Sequence, residues 1–126
     1  MKKIINTPKS PAPIGPYNQA ILKDNMLFVS GQIALEPNSM KLNNNSIEDE
    51  TNQVMINLKH ILKEANMDFG NVVKTSIFLS DMDLFKKVND IYGKYIIEGK
   101  EPARETIAVK TLPMSVNVEI SMIAIL

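Results

Sequence analysis

Two fully charged residues stand among apolar neighbours in strand-like runs, Arg104 at the head of Arg104–Val109 and Glu119 within Val116–Leu126. A guanidinium is planar and permanently charged, and it grips a carboxylate through parallel N–H donors. A second carboxylate close by can take up and return protons, or orient a water. The pair therefore suits a small anionic substrate. The competing reading is a cross-strand ion pair, structural within the sheet or at a subunit contact. Spacing alone leaves both open.

Other candidates carry less. Gly31 follows Ser30 at the end of an apolar run, where a glycine marks either a strand-end bulge or a close approach of backbone to a ligand. His60, the single histidine, lies between Leu58 and Ile61 of a helical stripe and reads as an edge-of-face residue. There is no second histidine and there are no cysteines, so a metal site would rest on carboxylates alone, and no suitable cluster is apparent. Nothing places a serine beside His60 for a nucleophilic pair. Neither GPYNQ nor SGQ is a phosphate loop. The stretch NDIYGKYIIEGK, 89–100, interleaves aromatics with lysines; it reads either as an RNA surface or as a helix with core aromatics and solvated lysines.

Composition narrows the class. The 126 residues correspond to one domain, 1–126, with 44% hydrophobic and 22% charged residues, values of a globular chain. Fourteen basic residues balance fourteen acidic ones, so no global field gathers nucleic acid or anionic membrane. MKKIINTPKS opens on two lysines, Lys2 and Lys3, but no apolar stretch of signal-peptide length follows them, and no apolar run approaches the ~18 residues of a membrane span. The expectation is a soluble, cytoplasmic protein.

The elements that must position these residues follow from periodicity. Ile4-Ile5 is a short strand candidate. TPKSPAPIGP has four prolines in ten residues and must be extended. Tyr17–Lys23 and Met26–Ile33 read as a hairpin about an Asp24-Asn25 turn. Residues 35–46 form a polar loop. Ser46 with Asp49 resembles a capping box, and Val54, Leu58, Ile61, Leu62 and Ala65 recur at helical spacing. Val72–Leu79 is strand-like. Ser80-Asp81 caps a second helix with Phe85, Val88, Tyr92 and Ile96 on one stripe, ended by Gly99. Arg104–Val109 and Val116–Leu126 are strands joined through LPMS. The order β-β-β-α-β-α-β-β predicts an α+β mixed sheet with both helices on one face.

Such a sheet has a second face. In the last strand Val116, Val118, Ile120, Met122, Ala124 and Leu126 share one side, while the other carries Asn117, Glu119, Ser121, Ile123 and Ile125, apolar at its end. A strand apolar on both sides is usually covered on both. Another copy of the chain is the expected cover.

The chain resembles the Rid/YjgF family of reactive intermediate (imine/enamine) deaminases, most closely its RidA branch. The resemblance rests on Ile14-Gly15-Pro16-Tyr17, Ser30-Gly31-Gln32, Val73-Lys74-Thr75, Val88-Asn89 with Tyr92, Pro102-Ala103-Arg104, Leu112-Pro113 and Val118-Glu119-Ile120, in that order over nearly the whole chain. It implies a chorismate-mutase-like α+β fold and a homotrimeric barrel with a cleft at each subunit interface. It further implies cofactor-free hydrolysis of small 2-imino acids, such as 2-iminobutanoate and 2-iminopropanoate, to 2-oxo acids and ammonia. By position, Arg104 matches the arginine that binds the substrate carboxylate, and Glu119 the glutamate that positions water. Tyr17, Ser30 and Asn89 match pocket residues, and Gly31 a backbone contact. No metal is implied.

Three positions depart from the pattern. Glu105 stands where a small residue is common, and on a strand it points away from the Arg104 side. Thr106 replaces a frequent cysteine; it shares the side of Arg104 and is expected to line the same cleft. Ser121 replaces a usual second acid. Two alternatives stay open: an RNA-acting translation inhibitor, and a carboxylate-binding or chaperone-like module without turnover.

Overall fold

The computed structural model describes residues 1–126. Eight elements occur in the expected order: β1 (Lys3–Ile5), β2 (Ala20–Lys23), β3 (Met26–Gln32), α1 (Ile47–Glu64), β4 (Val72–Leu79), α2 (Phe85–Gly93), β5 (Ala103–Ala108) and β6 (Val118–Ile125). The strands form one sheet in the order β1-β2-β3-β6-β4-β5. Only β4 and β5, joined through α2, run parallel; every other pairing is antiparallel. β6 is thus the central strand, with β4 on one side and β3 on the other.

Local chemistry explains the boundaries. Ser46 caps α1 by accepting the Asp49 amide at 3.0 Å, and Glu48, Asp49 and Glu50 place acidic side chains in the first turn. Val54, Leu58, Ile61 and Leu62 bring the helix onto the sheet, each 0% exposed. Asn66, at φ 58°, turns the chain out of it. The β2–β3 hairpin turns at Asp24, also left-handed at φ 55°.

Three expected boundaries move. β2 starts at Ala20 rather than Tyr17, because the Gln19 side chain is turned inward. Its Oε1 accepts the Thr7 amide at 2.8 Å and its Nε2 donates to Thr7 and Pro11 carbonyls at 3.0 and 2.9 Å. One buried amide thereby satisfies a proline-rich loop that cannot form a ladder. The second helix ends at Gly93, not Gly99. Asp81 accepts the Asp83 amide at 2.8 Å and opens a 3-10 turn at Met82–Leu84, after which α2 runs only to Gly93. Glycine is a weak helix former, and the chain then tightens into i→i+3 turns that bring Tyr95 edge-on to Phe69 at 5.7 Å. Gly99, at φ 83°, belongs to a separate turn. β6 begins at Val118, because Pro113–Ser115 forms a 3-10 turn with Met114 and Ser115 both at φ 55°.

Both helices cover one face, where Leu27, Ile77, Leu79, Ile120 and Ala124 are at most 1% exposed. The other face is bare. Ile4, Ile21, Phe28 and Ile123 pair in sequence across four strands as an apolar row, with Ile4 57% and Phe28 44% exposed.

Candidate functional site

Arg104 is the second residue of β5, at the sheet edge on the helix-covered side, opposite Thr75 of β4. α2 presents Phe85, Asn89 and Tyr92 to it, at i, i+4 and i+7, one face of the helix. Arg104 Nη1 donates to Asn89 Oδ1 at 2.7 Å, and the guanidinium carbon lies 5.7 Å and 5.3 Å from the Phe85 and Tyr92 ring centres. The Tyr92 hydroxyl donates to Thr75 Oγ1 at 3.0 Å, and burial raises its pKa, keeping it a donor. The aromatic pair and Asn89 fix the guanidinium while leaving most of its donors free. The ion pairs of the chain are Lys23–Asp24, Lys74–Glu105 and Lys86–Asp90; none uses Arg104. Asn89 and Arg104 line a pocket of about 600 Å³ with Gly93, Ile96, Glu98 and Glu101.

Glu119 lies on the opposite side of the sheet. It pairs with Phe78, three residues from Thr75 along β4, and alternation puts the two on opposite faces. β4 also stands between β5 and β6. The cross-strand Arg104–Glu119 ion pair, one of the two readings open from the sequence, is therefore excluded within one chain. Glu119 is half-buried, and burial alone raises its carboxyl pKa above the usual range. It shares a pocket of about 540 Å³ with Tyr17, Ser30, Gly31, Ile14 and Met114.

This second pocket explains Gly31. The β3–β6 register shifts between Val29 and Gln32, which is the bulge expected there, and a Cβ on Gly31 would stand 2.8 Å from Glu119 Cδ. The bulge and the close approach are one feature; what the backbone approaches is the Glu119 carboxylate. Ser30 Oγ donates to the Asn18 carbonyl at 2.6 Å, and the Tyr17 hydroxyl accepts the Ile14 amide at 3.2 Å.

The structure thus groups Tyr17, Ser30, Gly31 and Glu119 in one pocket, and Asn89 and Arg104 in another. Thr106 shares the side of Arg104 but lines neither pocket; its Oγ1 is buried without a partner. Glu105 points to the bare face, where it pairs with Lys74 and accepts from Ser76, and Lys74 first and Ser76 second lower its pKa. It leaves the guanidinium un-neutralised. His60 is half-buried on α1 with Nδ1 unpartnered, its pKa lowered by burial and then by Lys9, Lys59 and Lys63.

Three contributors were not visible in the sequence. Gln19 holds the loop that supplies Pro11, Ala12 and Ile14 to the Glu119 pocket. Met114, 55% exposed in a left-handed conformation, forms another wall. Glu50, 0% exposed, accepts the Asn117 and Val118 amides at 2.7 and 3.2 Å and thereby seats the start of β6, one residue before Glu119. An acidic residue in a first helical turn reads as a dipole partner, and nothing local marks it as a cross-element tie.

Residues 7–126 match the family model described as Endoribonuclease L-PSP. The chain is 48% identical over 125 residues to RutC family protein slr0709 of Synechocystis sp., covering 98% of this chain and 96% of that protein. It is 45% identical over 125 residues to the 2-iminobutanoate/2-iminopropanoate deaminase of Mus musculus, covering 99% and 92%. The crystal structure of the Rid-family protein YyfA from Yersinia pestis superposes with a TM-score of 0.96 at 40% identity, covering 100% of both chains. An α+β sheet with two helices on one face, matched by the family model over residues 7–126 and by a Rid-family structure along its whole length, places this chain in the Rid/YjgF family.

Proposed function

We propose that the protein hydrolyses small 2-imino acids to 2-oxo acids and ammonia, in a homotrimer whose sites form where the Arg104 pocket of one copy meets the Glu119 pocket of the next. The observation that carries this is the condition of Arg104: a guanidinium held by Asn89 and two aromatic rings, with no acidic partner. Such a group is an open receptor for a carboxylate. The apolar row Ile4, Ile21, Phe28 and Ile123 supports a partner copy on the bare face.

The chemistry needs little beyond orientation. An iminium carbon is already electrophilic. Arg104 binds the neighbouring carboxylate and fixes the carbon's position. Glu119, its pKa raised by burial, takes a proton from water as the oxygen bonds to carbon, giving a carbinolamine. It returns that proton to nitrogen and takes up the hydroxyl proton as the C–N bond breaks; ammonia leaves, the carbonyl forms, and Glu119 passes the last proton to solvent. A base raised toward neutrality suits this two-way transfer.

The test couples the purified protein to a threonine dehydratase and follows 2-oxobutanoate or ammonia release. The wild type accelerates release, and Arg104→Ala, losing a charge-assisted clamp of about 1.5–3 kcal/mol, slows it roughly 10- to 150-fold. Equal behaviour of the two proteins defeats the proposal. Purified wild type that cleaves RNA but not imine would establish the RNA-acting reading instead.

A further inference from the structure

The Arg104 pocket carries more charge than a carboxylate clamp requires. Two of its lining residues, Glu98 and Glu101, are exposed carboxylates, so its walls hold one positive and two negative groups. Neither forms an ion pair with Arg104, so neither occupies the clamp. No lysine lines the pocket to balance them; the stem of nearby Lys100 lies toward Gly70 instead. A pocket of this volume is roughly 10 Å across, about one Debye length at ~0.1 M ionic strength and well inside it at low salt. A ligand held at Arg104 therefore feels both carboxylates.

We infer that Glu98 and Glu101 make the site charge-selective: it takes 2-imino acids with neutral or cationic side chains and rejects those carrying a second carboxylate. The first carboxylate is compensated by Arg104. A second finds no further cation and meets two like charges; a cationic side chain meets two opposite ones. Rejection by like charge is an economical means of discrimination, because it requires no added contact to the accepted substrate. This inference rests on the deaminase reading of the same site and deepens it.

Three imines generated in situ test it: the methionine and arginine imines from an L-amino-acid oxidase, and the aspartate imine from D-aspartate oxidase. The planar imine is the same from either enantiomer. For wild type at low salt, kcat/KM for the aspartate imine is expected at least about tenfold below that for methionine, and the arginine imine at or above methionine. In Glu98→Gln/Glu101→Gln protein the aspartate-to-methionine ratio rises about tenfold and the arginine-to-methionine ratio falls. Both changes shrink at about 0.5 M salt. A purely structural role for the two glutamates would move all three imines together and leave the ratios and their salt dependence unaltered. Unchanged ratios with good methionine-imine hydrolysis overturn the charge selectivity alone. No hydrolysis of any imine by wild type overturns both it and the deaminase reading.

Discussion

Gly31→Ala separates function from fold. The added Cβ would stand 2.8 Å from Glu119 Cδ and 3.1 Å from Cγ, where carbon atoms at rest sit about 3.5–4.0 Å apart. The carboxylate must therefore retreat by about 1 Å. A misplacement of that size costs on the order of 10²-fold in rate, or about 2.7 kcal/mol in the barrier. The effect on stability is small. Gly31 is not in the left-handed region, so alanine introduces no backbone strain. It reduces the freedom of the unfolded chain, a gain of about 0.4–1 kcal/mol that offsets about 0.5–1.5 kcal/mol for a displaced Glu119 rotamer. The net change stays within about 1 kcal/mol, a Tm shift of roughly 3–6 °C. Dehydratase-coupled 2-oxobutanoate release and thermal unfolding, measured on one preparation, read the two effects. Activity within threefold of wild type refutes a catalytic role for the Glu119 carboxylate position. A collapse of Tm along with activity refutes the assignment of the effect to Glu119 alone.

Glu119→Gln should raise Tm near neutral pH and leave it unchanged in acid. The raised native pKa means the folded state binds its proton more tightly than the unfolded state, so ionising Glu119 lowers stability as pH rises from the ordinary carboxylate value through the native one; equal differences at both pH values would contradict this. In the pH–rate profile the acid limb should lie above the ordinary carboxylate range. Glu105 behaves oppositely. Its lowered pKa makes its contribution present above the ordinary carboxylate value, and the Tm gap between wild type and Glu105→Gln should close as pH falls through the native value. Thr106→Val removes a buried hydroxyl without a partner and should leave stability equal or higher by up to about 1 kcal/mol in urea unfolding; a loss of several kcal/mol would show that the hydroxyl is satisfied in the assembled protein.

Much of the fold was legible because local signals agreed. Ser46 and the stripe from Val54 to Leu62 marked α1, Asp24-Asn25 marked the hairpin, and the two-sided apolarity of the last strand pointed to a bare face that the structure displays. The end of α2 was misread because Tyr92 and Ile96 keep helical spacing across Gly93, a local stop that the stripe outweighed, while the pull of Tyr95 onto Phe69 acts through tertiary structure. Arg104 and Glu119 were legible as residue types but not as a spatial relation. Alternation fixes the side each occupies within its own strand; only strand order, with β4 between β5 and β6, relates one strand to the other. Gln19 and Glu50 escaped because their partners lie up to 68 residues away, and a single polar side chain carries no mark of so distant a bond. Gly31 carried such a mark, since glycine at a bulge already announces close approach, though not to which group.

Mixing two impaired variants tests the composite site most directly. Arg104→Ala and Glu119→Gln proteins are denatured together in equal amounts, refolded, and assayed by dehydratase-coupled release. If each site draws Arg104 from one copy and Glu119 from the next, random assembly leaves about a quarter of the sites with both residues intact, and about a quarter of wild-type activity returns. If the mixture stays as impaired as its components while wild type refolded in parallel recovers, the two residues do not meet across copies and the proposed site is wrong.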